Sequence, residues 1–272
     1  MSNVALPTQV KLIIFDIDGT LHIDGQPIEG ANLLIEQLRA QNYMIRFMTN
    51  TTTQNQEMLL QHLYQANIQA QSHEILSASE ASRIYLREQQ QILQRKIKVW
   101  PVVHANIVQD FSEFIHETQQ PDFVVIGDIG EAWDYNLINQ IFYALNQGAK
   151  LVALHKNRFW QTRHGLKVDI GLFIAGLEYV SRQDALIIGK PAVAFFQQVL
   201  RSAQCDESQA ILIGDDIDSD VGGAQRAGIF GILVKTGKYR QAYHEQSKIR
   251  PDLVIESVAD LSSYFQEKIN VG

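Results

Sequence analysis

The sequence predicts an α/β protein whose core is a parallel sheet, with a second, smaller α/β domain inserted into it. Short apolar, β-branched runs alternate with amphipathic stretches of helical length, as in successive βαβ units. The chain has 272 residues, which is longer than an average single domain and shorter than two full-sized domains. A Rossmann-like core with one inserted domain accounts for both observations.

Apolar runs predict the strands of the core sheet at 11–16, 43–48, 185–189, 210–214 and 229–234. Each run is apolar on both faces, as in a parallel sheet that is covered by helices on both sides. Polar residues follow each run, and ligands bind at the carboxyl ends of the strands in open α/β sheets. We therefore expect the functional residues at these strand ends.

The middle of the chain predicts the inserted domain. It contains strand-like runs at 97–102, 123–126 and 150–155, and helical patterns near 107–118 and 135–147. The polar residues at these strand ends are scattered and form no dense acidic cluster. We expect the core domain to span 1–79 and 183–272, and the inserted domain to span 80–182.

Composition excludes several classes of protein. Hydrophobic residues make up 46% of the chain and charged residues 19%, which excludes a disordered protein. The net charge of -7, with no basic patch, predicts neither a nucleic-acid nor a membrane partner. The one cysteine, Cys205, can form neither an intrachain disulfide nor a cysteine-based zinc site, and no role is assigned to it. Since no long apolar run or leader pattern is found, we expect a cytoplasmic protein.

The strongest motif is DIDGT at 16–20, directly after the first predicted strand. Two carboxylates at i and i+2, followed by a glycine that permits a sharp turn, can provide a nucleophile and a group near the leaving atom. They can also hold a hard cation. A simple Asx turn is the alternative, but it leaves the second aspartate unexplained.

A second acidic motif is GDDIDSD at 214–220, with four carboxylates in six residues. Their mutual repulsion is costly unless a cation or a lysine lies nearby. The glycine and glutamate of a calcium EF-hand loop are missing, so we expect magnesium, shared with Asp16 and Asp18. For Asp216 and Asp218, capping of the following helix is favoured over ligation.

Two further motifs fit a phosphate site. Lys190, in GKP after the run 185–189, can neutralise a phosphate and a carboxylate together. Because proline follows this lysine, the motif is not a Walker A loop. The segment TNTT at 49–52 joins a strand to a helix and predicts an anion cradle, with helix capping by Thr52 or Thr53 as the alternative.

These motifs occur in the order DIDGT, the Thr of TNTT, the Lys of GKP, and GDDIDSD, and together they resemble the haloacid dehalogenase-like hydrolases along essentially the whole chain. The insertion between the second and third motifs resembles the α/β cap of the subgroup that includes nucleotide and phosphoglycolate phosphatases. The resemblance implies the HAD fold with an inserted cap and a magnesium-dependent phosphatase that acts on small phosphorylated molecules.

The resemblance also implies individual roles for the acidic residues. Asp16 is the expected nucleophile, which forms an aspartyl phosphate, and Asp18 is the expected general acid and base. Asp16, the backbone carbonyl of Asp18, and Asp215 are the expected ligands of Mg2+. In this family Gly19 lies in the turn beside the nucleophile, where a Cβ would clash.

Thr49, the Asn50 amide and Lys190 are expected to bind the phosphate oxygens, with Asp220 orienting Lys190. The cap is expected to close over the site and to favour small substrates. A homodimer that pairs through the cap is also expected. The candidates for cap contacts with substrate are Trp133, Tyr135, His155, Arg158, Trp160 and Asp169, with aromatic cap-core packing as the alternative.

Two other functions stay open at this point. Receiver domains also combine an acidic cluster, a threonine and a lysine on a parallel sheet, which allows a noncatalytic phosphoacceptor or scaffold; Asp18 and the long insertion argue against it. A metal-independent dehalogenase on the same scaffold would leave Asp18 and Asp215 idle. The sequence does not choose among phosphohistidine, phospholysine, pyrophosphate, a sugar phosphate and a nucleotide as substrate.

Overall fold

The computed structural model describes residues 6–23, 25–162 and 165–269, apart from the side chains of 160–166 and 266–269. The chain forms two compact units. The core unit comprises Met1–Thr49, Gln56–Leu76 and Lys190–Gly272, and the second unit comprises Asn50–Asn55 and Ser77–Gly189. The predicted domain boundaries, at 79/80 and 182/183, lie three and seven residues inside the segment Ser77–Gly189, and the segment 50–55, which was predicted in the core domain, belongs to the second unit.

The strands, in chain order, are β1 (Leu12–Asp16), β2 (His22–Ile23), β3 (Gln26–Pro27), β4 (Met44–Thr49), β5 (Ile75–Ser77), β6 (Lys98–Val102), β7 (Ile115–His116), β8 (Phe123–Ile126), β9 (Lys150–Ala153), β10 (Phe159–Thr162), β11 (Gly165–Val168), β12 (Leu186–Ile187), β13 (Ala210–Gly214), β14 (Phe230–Val234) and β15 (Leu253–Ile255). The α-helices are α1 (Ala31–Ala40), α2 (Gln56–Gln65), α3 (Ala78–Leu93), α4 (Ala105–Val108), α5 (Tyr135–Asn146), α6 (Gly171–Ser181), α7 (Val193–Ala203), α8 (Gly222–Arg226), α9 (Gln241–Gln246) and α10 (Leu261–Ile269).

The core unit is built on a six-stranded sheet, within the described residues, in the order β15-β14-β13-β1-β4-β5. β1 pairs in parallel with both β13 and β4, and all five of its residues are buried. Because these three strands are parallel neighbours, their carboxyl ends meet at one edge of the sheet. That edge carries the first, second and fourth sequence motifs.

Helices cover this sheet through apolar faces at helical spacing. α1 buries Ala31, Leu34, Ile35 and Leu38, which recur at i, i+3, i+4 and i+7. They belong to a large apolar cluster with Ile13 and other residues of the central strands. Burial of this face accounts for the position of the helix, because its sequence alone supplies little helix stability.

The second unit has its own five-stranded sheet in the described part of the chain, in the order β12-β9-β8-β6-β7. The pairs in this sheet are parallel, and β10 and β11 form a separate antiparallel pair. Asp134 caps the N-terminus of α5, because its side chain accepts a hydrogen bond of 2.7 Å from the Leu137 backbone. A separate apolar cluster between sheet and helices makes this unit a second α/β layer structure.

The α/β class with a parallel core sheet is confirmed, but two predicted elements are wrong. The run 185–189 forms only the short strand β12, which pairs with β9 in the sheet of the second unit, not in the core sheet. The segment 107–118, predicted as a helix, is α-helical only as far as Val108; a 3-10 turn and then β7 follow. The sequence analysis also missed β5 and β15, whose three-residue lengths leave no recognisable run.

None of the helices in the described part of the chain has both the length and the apolar composition needed to cross a membrane.

Candidate active site

Asp16 is the last residue of β1, and its carboxylate is buried at the centre of the sheet edge. The Lys190 ammonium group pairs with Oδ1, and the Thr20 hydroxyl donates to Oδ2 at 3.3 Å. Burial raises the pKa of Asp16 to about 7; Lys190 opposes this rise, while the negative charges of Asp220 and Asp18 add to it. The carboxylate therefore needs the positive charge of its surroundings to stay ionised.

Asp18 is held in a different environment from Asp16, although only one residue separates them. Its side chain is half exposed, with a relative accessibility of 53%. Thr49, at the end of β4, donates its hydroxyl to Oδ2 at 3.1 Å, and His22 Nε2 lies 3.6 Å from Oδ1. One carboxylate is thus buried against a lysine, and the other faces solvent between a threonine and a histidine. The sequence analysis did not single out His22.

The turn after Asp18 requires glycine. Gly19 has a φ of +86°, and a Cβ there would lie 2.0 Å from Asp215 Oδ2. The Thr236 hydroxyl donates to the Gly19 carbonyl and fixes the turn from the other side. The clash expected at this position is confirmed, and its partner is the Asp215 carboxylate.

Lys190 is buried, with 3% of its surface accessible, and forms ion pairs with two carboxylates. Its Nζ contacts Asp16 Oδ1 and lies 2.6 Å from Asp220 Oδ1. Burial acts to lower the pKa of Lys190, but the charges of Asp16 and Asp220 outweigh it and raise the pKa above its usual range. The group is therefore a permanent cation beside Asp16. Lys190 is the first residue of the core-unit segment Lys190–Gly272. The sequence predicted that it follows a strand of the core sheet, but the preceding strand, β12, belongs to the sheet of the second unit.

The loop after β13 arranges its carboxylates through its own backbone. Asp216 Oδ1 accepts hydrogen bonds of 3.0 Å from the backbone of Asp218 and of Ser219, and so caps the π-helical turn Ile217–Val221. The predicted capping by Asp216 is confirmed. Asp218 is exposed and accepts a hydrogen bond from the Tyr243 hydroxyl instead.

Asp16, Asp215 and Asp220 could together hold a metal ion. One carboxylate oxygen of each lies within 4.8 Å of the others, and all three residues are buried. Burial, followed by the charges of Asp16 and Asp220, raises the pKa of Asp215 well above its usual value. Oxygen ligands of this kind suit Mg2+. Asp220 joins the group that the sequence predicted, whereas the Asp18 carboxylate is not among these three.

The charges of the cluster also fit a divalent cation. When all are ionised, four carboxylates and two ammonium groups leave a net charge of -2. A cation of charge +2 would balance it and lower the raised pKa values. The six groups are those of Asp16, Asp215, Asp216, Asp220, Lys190 and Lys238.

The sequence analysis missed the segment 236–238, which follows β14. The Lys238 backbone N–H donates to Asp215 Oδ2 at 2.6 Å, and its Nζ lies 3.4 Å from Asp216 Oδ2. Burial acts to lower the pKa of Lys238, but the nearby aspartates raise it above its usual range. One signal was available, because β14 is a predicted strand and its carboxyl end belongs to the same sheet edge.

The remaining predicted phosphate ligand and the cap candidates lie in the second unit. Asn50 belongs to that unit, where its Oδ1 would be 2.5 Å from a Cβ added at Gly189. His155 Nε2 lies 3.9 Å from Asp169 Oδ1, and both side chains are buried. The structure brings this pair together, which the sequence did not predict.

The other cap candidates have different surroundings. Arg158 is exposed, with its guanidinium 5.7 Å from the centre of the Phe159 ring. Trp133 stacks on Phe173, with 4.1 Å between the ring centroids, as the alternative of cap-core packing predicts. Tyr135 is exposed. The side chain of Trp160 lies outside the described part of the chain.

Comparisons with known proteins find relatives that extend over most of the chain. A family model described as "Haloacid dehalogenase-like hydrolase" matches residues 13–114, and one described as "HAD-hydrolase-like" matches residues 187–261. The chain is similar to haloacid dehalogenase-like hydrolase domain-containing protein 2 of Mus musculus, with 38% identity over 248 residues that cover 91% of this chain and 93% of the relative.

Two further similarities extend over most of the chain. Phospholysine phosphohistidine inorganic pyrophosphate phosphatase of Danio rerio is 30% identical over 265 residues, which cover 95% of each protein. Among solved structures, p-nitrophenyl phosphatase from Archaeoglobus fulgidus has a TM-score of 0.86 at 23% identity and covers 94% of this chain and 99% of its own. This last likeness shows the fold.

Proposed function

The chain belongs to the haloacid dehalogenase-like hydrolase family, and from this membership we propose that it is a magnesium-dependent phosphatase of small phosphorylated molecules, with an aspartyl-phosphate intermediate on Asp16. One observation carries the proposal. The buried Asp16 carboxylate is paired with Lys190 inside an acidic cluster, while Asp18, in the same loop, stays half exposed.

In the proposed first step, an Asp16 oxygen attacks phosphorus, and the bond between phosphorus and the leaving group breaks. Asp18 donates a proton to the departing oxygen or nitrogen. In the second step, Asp18 removes a proton from water, which attacks the aspartyl phosphate and releases inorganic phosphate. Before substrate binds, the Thr49 hydroxyl donates to Asp18 Oδ2 and holds this carboxyl group at the sheet edge.

Positive charge near the phosphoryl group comes from Lys190, which also holds Asp16 in place. Mg2+, held by Asp16, Asp215 and the Asp18 backbone carbonyl, would reduce the repulsion between the phosphate and Asp16. We assign Asp220 to Lys190, because its Oδ1 pairs with the ammonium group and its Oδ2 accepts the Asp216 backbone N–H. Thr49 and the Asn50 amide are proposed as further phosphate ligands.

The substrate class is proposed from the chemistry and from a relative's name. Acid catalysis by Asp18 serves oxygen and nitrogen leaving groups alike. One relative is named for phospholysine, phosphohistidine and inorganic pyrophosphate. We therefore propose that phosphoramides and pyrophosphate belong to the substrate range together with phosphate esters. His155, Arg158, Trp160 and Asp169 stay proposed as cap contacts.

The test measures phosphate release from p-nitrophenyl phosphate, pyrophosphate and imidodiphosphate, with Mg2+ and with EDTA. We expect turnover only with Mg2+, and its loss in Asp16→Asn. Asp184→Asn, at an exposed position, is the matched control and should keep full activity. Turnover that survives in Asp16→Asn would reject the mechanism.

Two alternatives predict other outcomes. A phosphoacceptor without turnover would form a stable phosphoenzyme from a small phosphodonor, which mass spectrometry would detect. A metal-independent dehalogenase would release halide from a 2-haloacid in EDTA. The site argues against both alternatives. Metal-independent dehalogenation has no use for the acidic cluster. A phosphoacceptor without turnover has no use for the acid and base that Asp18 would supply.

The homodimer through the inserted domain and the cytoplasmic location stay predictions. Light scattering coupled to size-exclusion chromatography would test the first.

A further inference from the structure

The carboxylate of Asp215 is held more tightly on one oxygen than on the other. Oδ2 accepts the Lys238 backbone N–H at 2.6 Å and lies in a slot between two glycines. A Cβ on either Gly19 or Gly237 would come within 2.0 Å of this oxygen. Among the described residues, no hydrogen bond reaches Asp215 Oδ1. The slot therefore separates the two oxygens of one carboxylate into a held oxygen and an available one.

The segment 236–238 contacts both loops of the acidic cluster. The Thr236 hydroxyl donates to the carbonyl of Gly19, in the loop that carries Asp16 and Asp18. The Lys238 ammonium group lies 3.4 Å from Asp216 Oδ2, in the loop that carries Asp215. The segment thus joins the two loops whose carboxylates must converge on a cation.

The backbone of this segment explains why glycine stands at its centre. Gly237 has a φ of +52°, and its Cα packs against Gly19, whose added Cβ would lie 3.1 Å from it. A side chain here would have to displace the Asp215 carboxylate, which is itself buried. Asp215 can therefore occupy this position only because residue 237 has no side chain.

We propose that Thr236, Gly237 and the backbone N–H of Lys238 are positioning residues that fix Asp215 as a one-oxygen ligand, through Oδ1, of the divalent cation. This inference rests on the metal site of the proposed function. These residues touch neither substrate nor phosphate in the proposal; they act through Asp215 and through the Gly19 turn. Partners of metal ligands of this kind typically change metal affinity 10- to 100-fold when they are altered.

The test measures metal binding directly and without substrate. Mn2+ serves as the probe, because its free concentration can be read by electron paramagnetic resonance, and Mg2+ competition then reports the affinity for Mg2+. We expect Gly237→Ala to raise the dissociation constant for Mn2+ about 10- to 100-fold. Gly130→Ala is the matched control, since Gly130 also has a positive φ, +58°, but an added Cβ would meet nothing within 4 Å.

A second, milder pair of variants keeps the test decisive if Gly237→Ala fails to fold. Thr236→Val removes the hydroxyl that holds Gly19 at nearly constant volume, and we expect it to weaken Mn2+ binding about three- to tenfold. Thr236→Ser restores the donor and should restore the affinity, which a packing defect would not explain. Circular dichroism and thermal melting confirm that each variant is folded.

The inference is overturned if folded Gly237→Ala and Thr236→Val bind Mn2+ as the wild type does, if Gly130→Ala weakens binding equally, or if the wild type binds no Mn2+. Its failure is separable from failure of the proposed function. Phosphate release by the wild type on the substrate panel decides the function, whereas the variants' Mn2+ affinities decide the positioning.

Discussion

Lys190 Nζ lies 2.6 Å from Asp220 Oδ1 and also pairs with Asp16 Oδ1, so one buried ammonium group joins the two carboxylates. Lys190 is the first residue of the core-unit segment Lys190–Gly272, whereas Asp16 is the last residue of the central strand β1. The Lys190 ammonium group is therefore shared between Asp16 and Asp220. The proposed mechanism assigns the same ammonium group to the phosphate.

Asp220→Asn tests that arrangement. The amide keeps the shape but loses the charge-assisted contact, which is worth about 1.5 to 3 kcal/mol and corresponds to about a 10- to 100-fold loss of kcat/KM. Steady-state hydrolysis of p-nitrophenyl phosphate measures it. Asp218→Asn, in the same loop but exposed, is the control and should stay within twofold. Equal effects of the two variants would contradict the assignment of Asp220 to Lys190.

Asp18→Asn tests the division of labour between the two aspartates of DIDGT. The amide cannot donate the proton that a leaving alkoxide needs, and general acid catalysis contributes typically 10²- to 10⁴-fold. Nitrophenolate departs readily without a proton. We therefore expect the variant to lose more activity on an alkyl phosphate than on p-nitrophenyl phosphate. Parallel single-turnover kinetics on the two substrates supply their own control, and an equal loss on both would remove Asp18 as the acid.

The raised pKa of Asp16 predicts how the stability of the metal-free protein depends on pH. Its folded-state pKa of about 7 lies above the ordinary aspartate pKa of 3.8, so the folded state binds the proton more tightly than the unfolded state. The contribution of this group to stability is fully present below about pH 4 and is lost as the pH rises through about 7. The slope within this window is on the order of 1 kcal/mol per pH unit.

Thermal melting in EDTA between pH 5 and pH 8 checks this. The wild type should lose melting temperature relative to Asp16→Asn as the pH rises, because the variant lacks this titration while other groups are shared. Mg2+ at pH 8 should restore the wild type more than the variant. A difference between the two proteins that stays constant with pH would show that Asp16 has an ordinary pKa.

Buried and exposed ion pairs of the core unit should differ in their effect on stability. Arg39 holds the buried Glu74 with two hydrogen bonds of 2.7 and 2.8 Å, and these bonds lower the pKa of Glu74 although burial alone would raise it. Arg39→Met leaves that carboxylate without its cation and should cost about 2 to 4 kcal/mol of unfolding free energy. Lys235→Met, which removes an exposed pair with Glu256, should leave the unfolding free energy almost unchanged, because water and salt screen such a pair.

Urea unfolding monitored by circular dichroism measures both variants. A cost at Lys235 equal to that at Arg39 would show that burial does not distinguish these pairs.

Much of the core could be predicted from the sequence because the patterns that indicate its strands are local. β1, β13 and β14 are almost wholly buried, so each appears as an unbroken apolar run followed by a polar turn. The order of the polar motifs along the chain then identified the aspartates and the lysine that the structure brings together. The turn at Gly19 was predicted for the same reason, since a positive φ is a local property, although the Asp215 carboxylate that a Cβ there would meet is distant in sequence.

Pairings between distant segments were decided only by the tertiary structure. An apolar run such as 185–189 suits either sheet, and the choice depends on which strand edge is available for hydrogen bonding, here β9. The contact of Lys238 with Asp215 and the pair of His155 with Asp169 depend on the same kind of choice. Periodicity and composition record whether a segment is buried, but sheet order and loop packing decide which buried groups meet, because those contacts form between parts of the chain whose local sequences are independent.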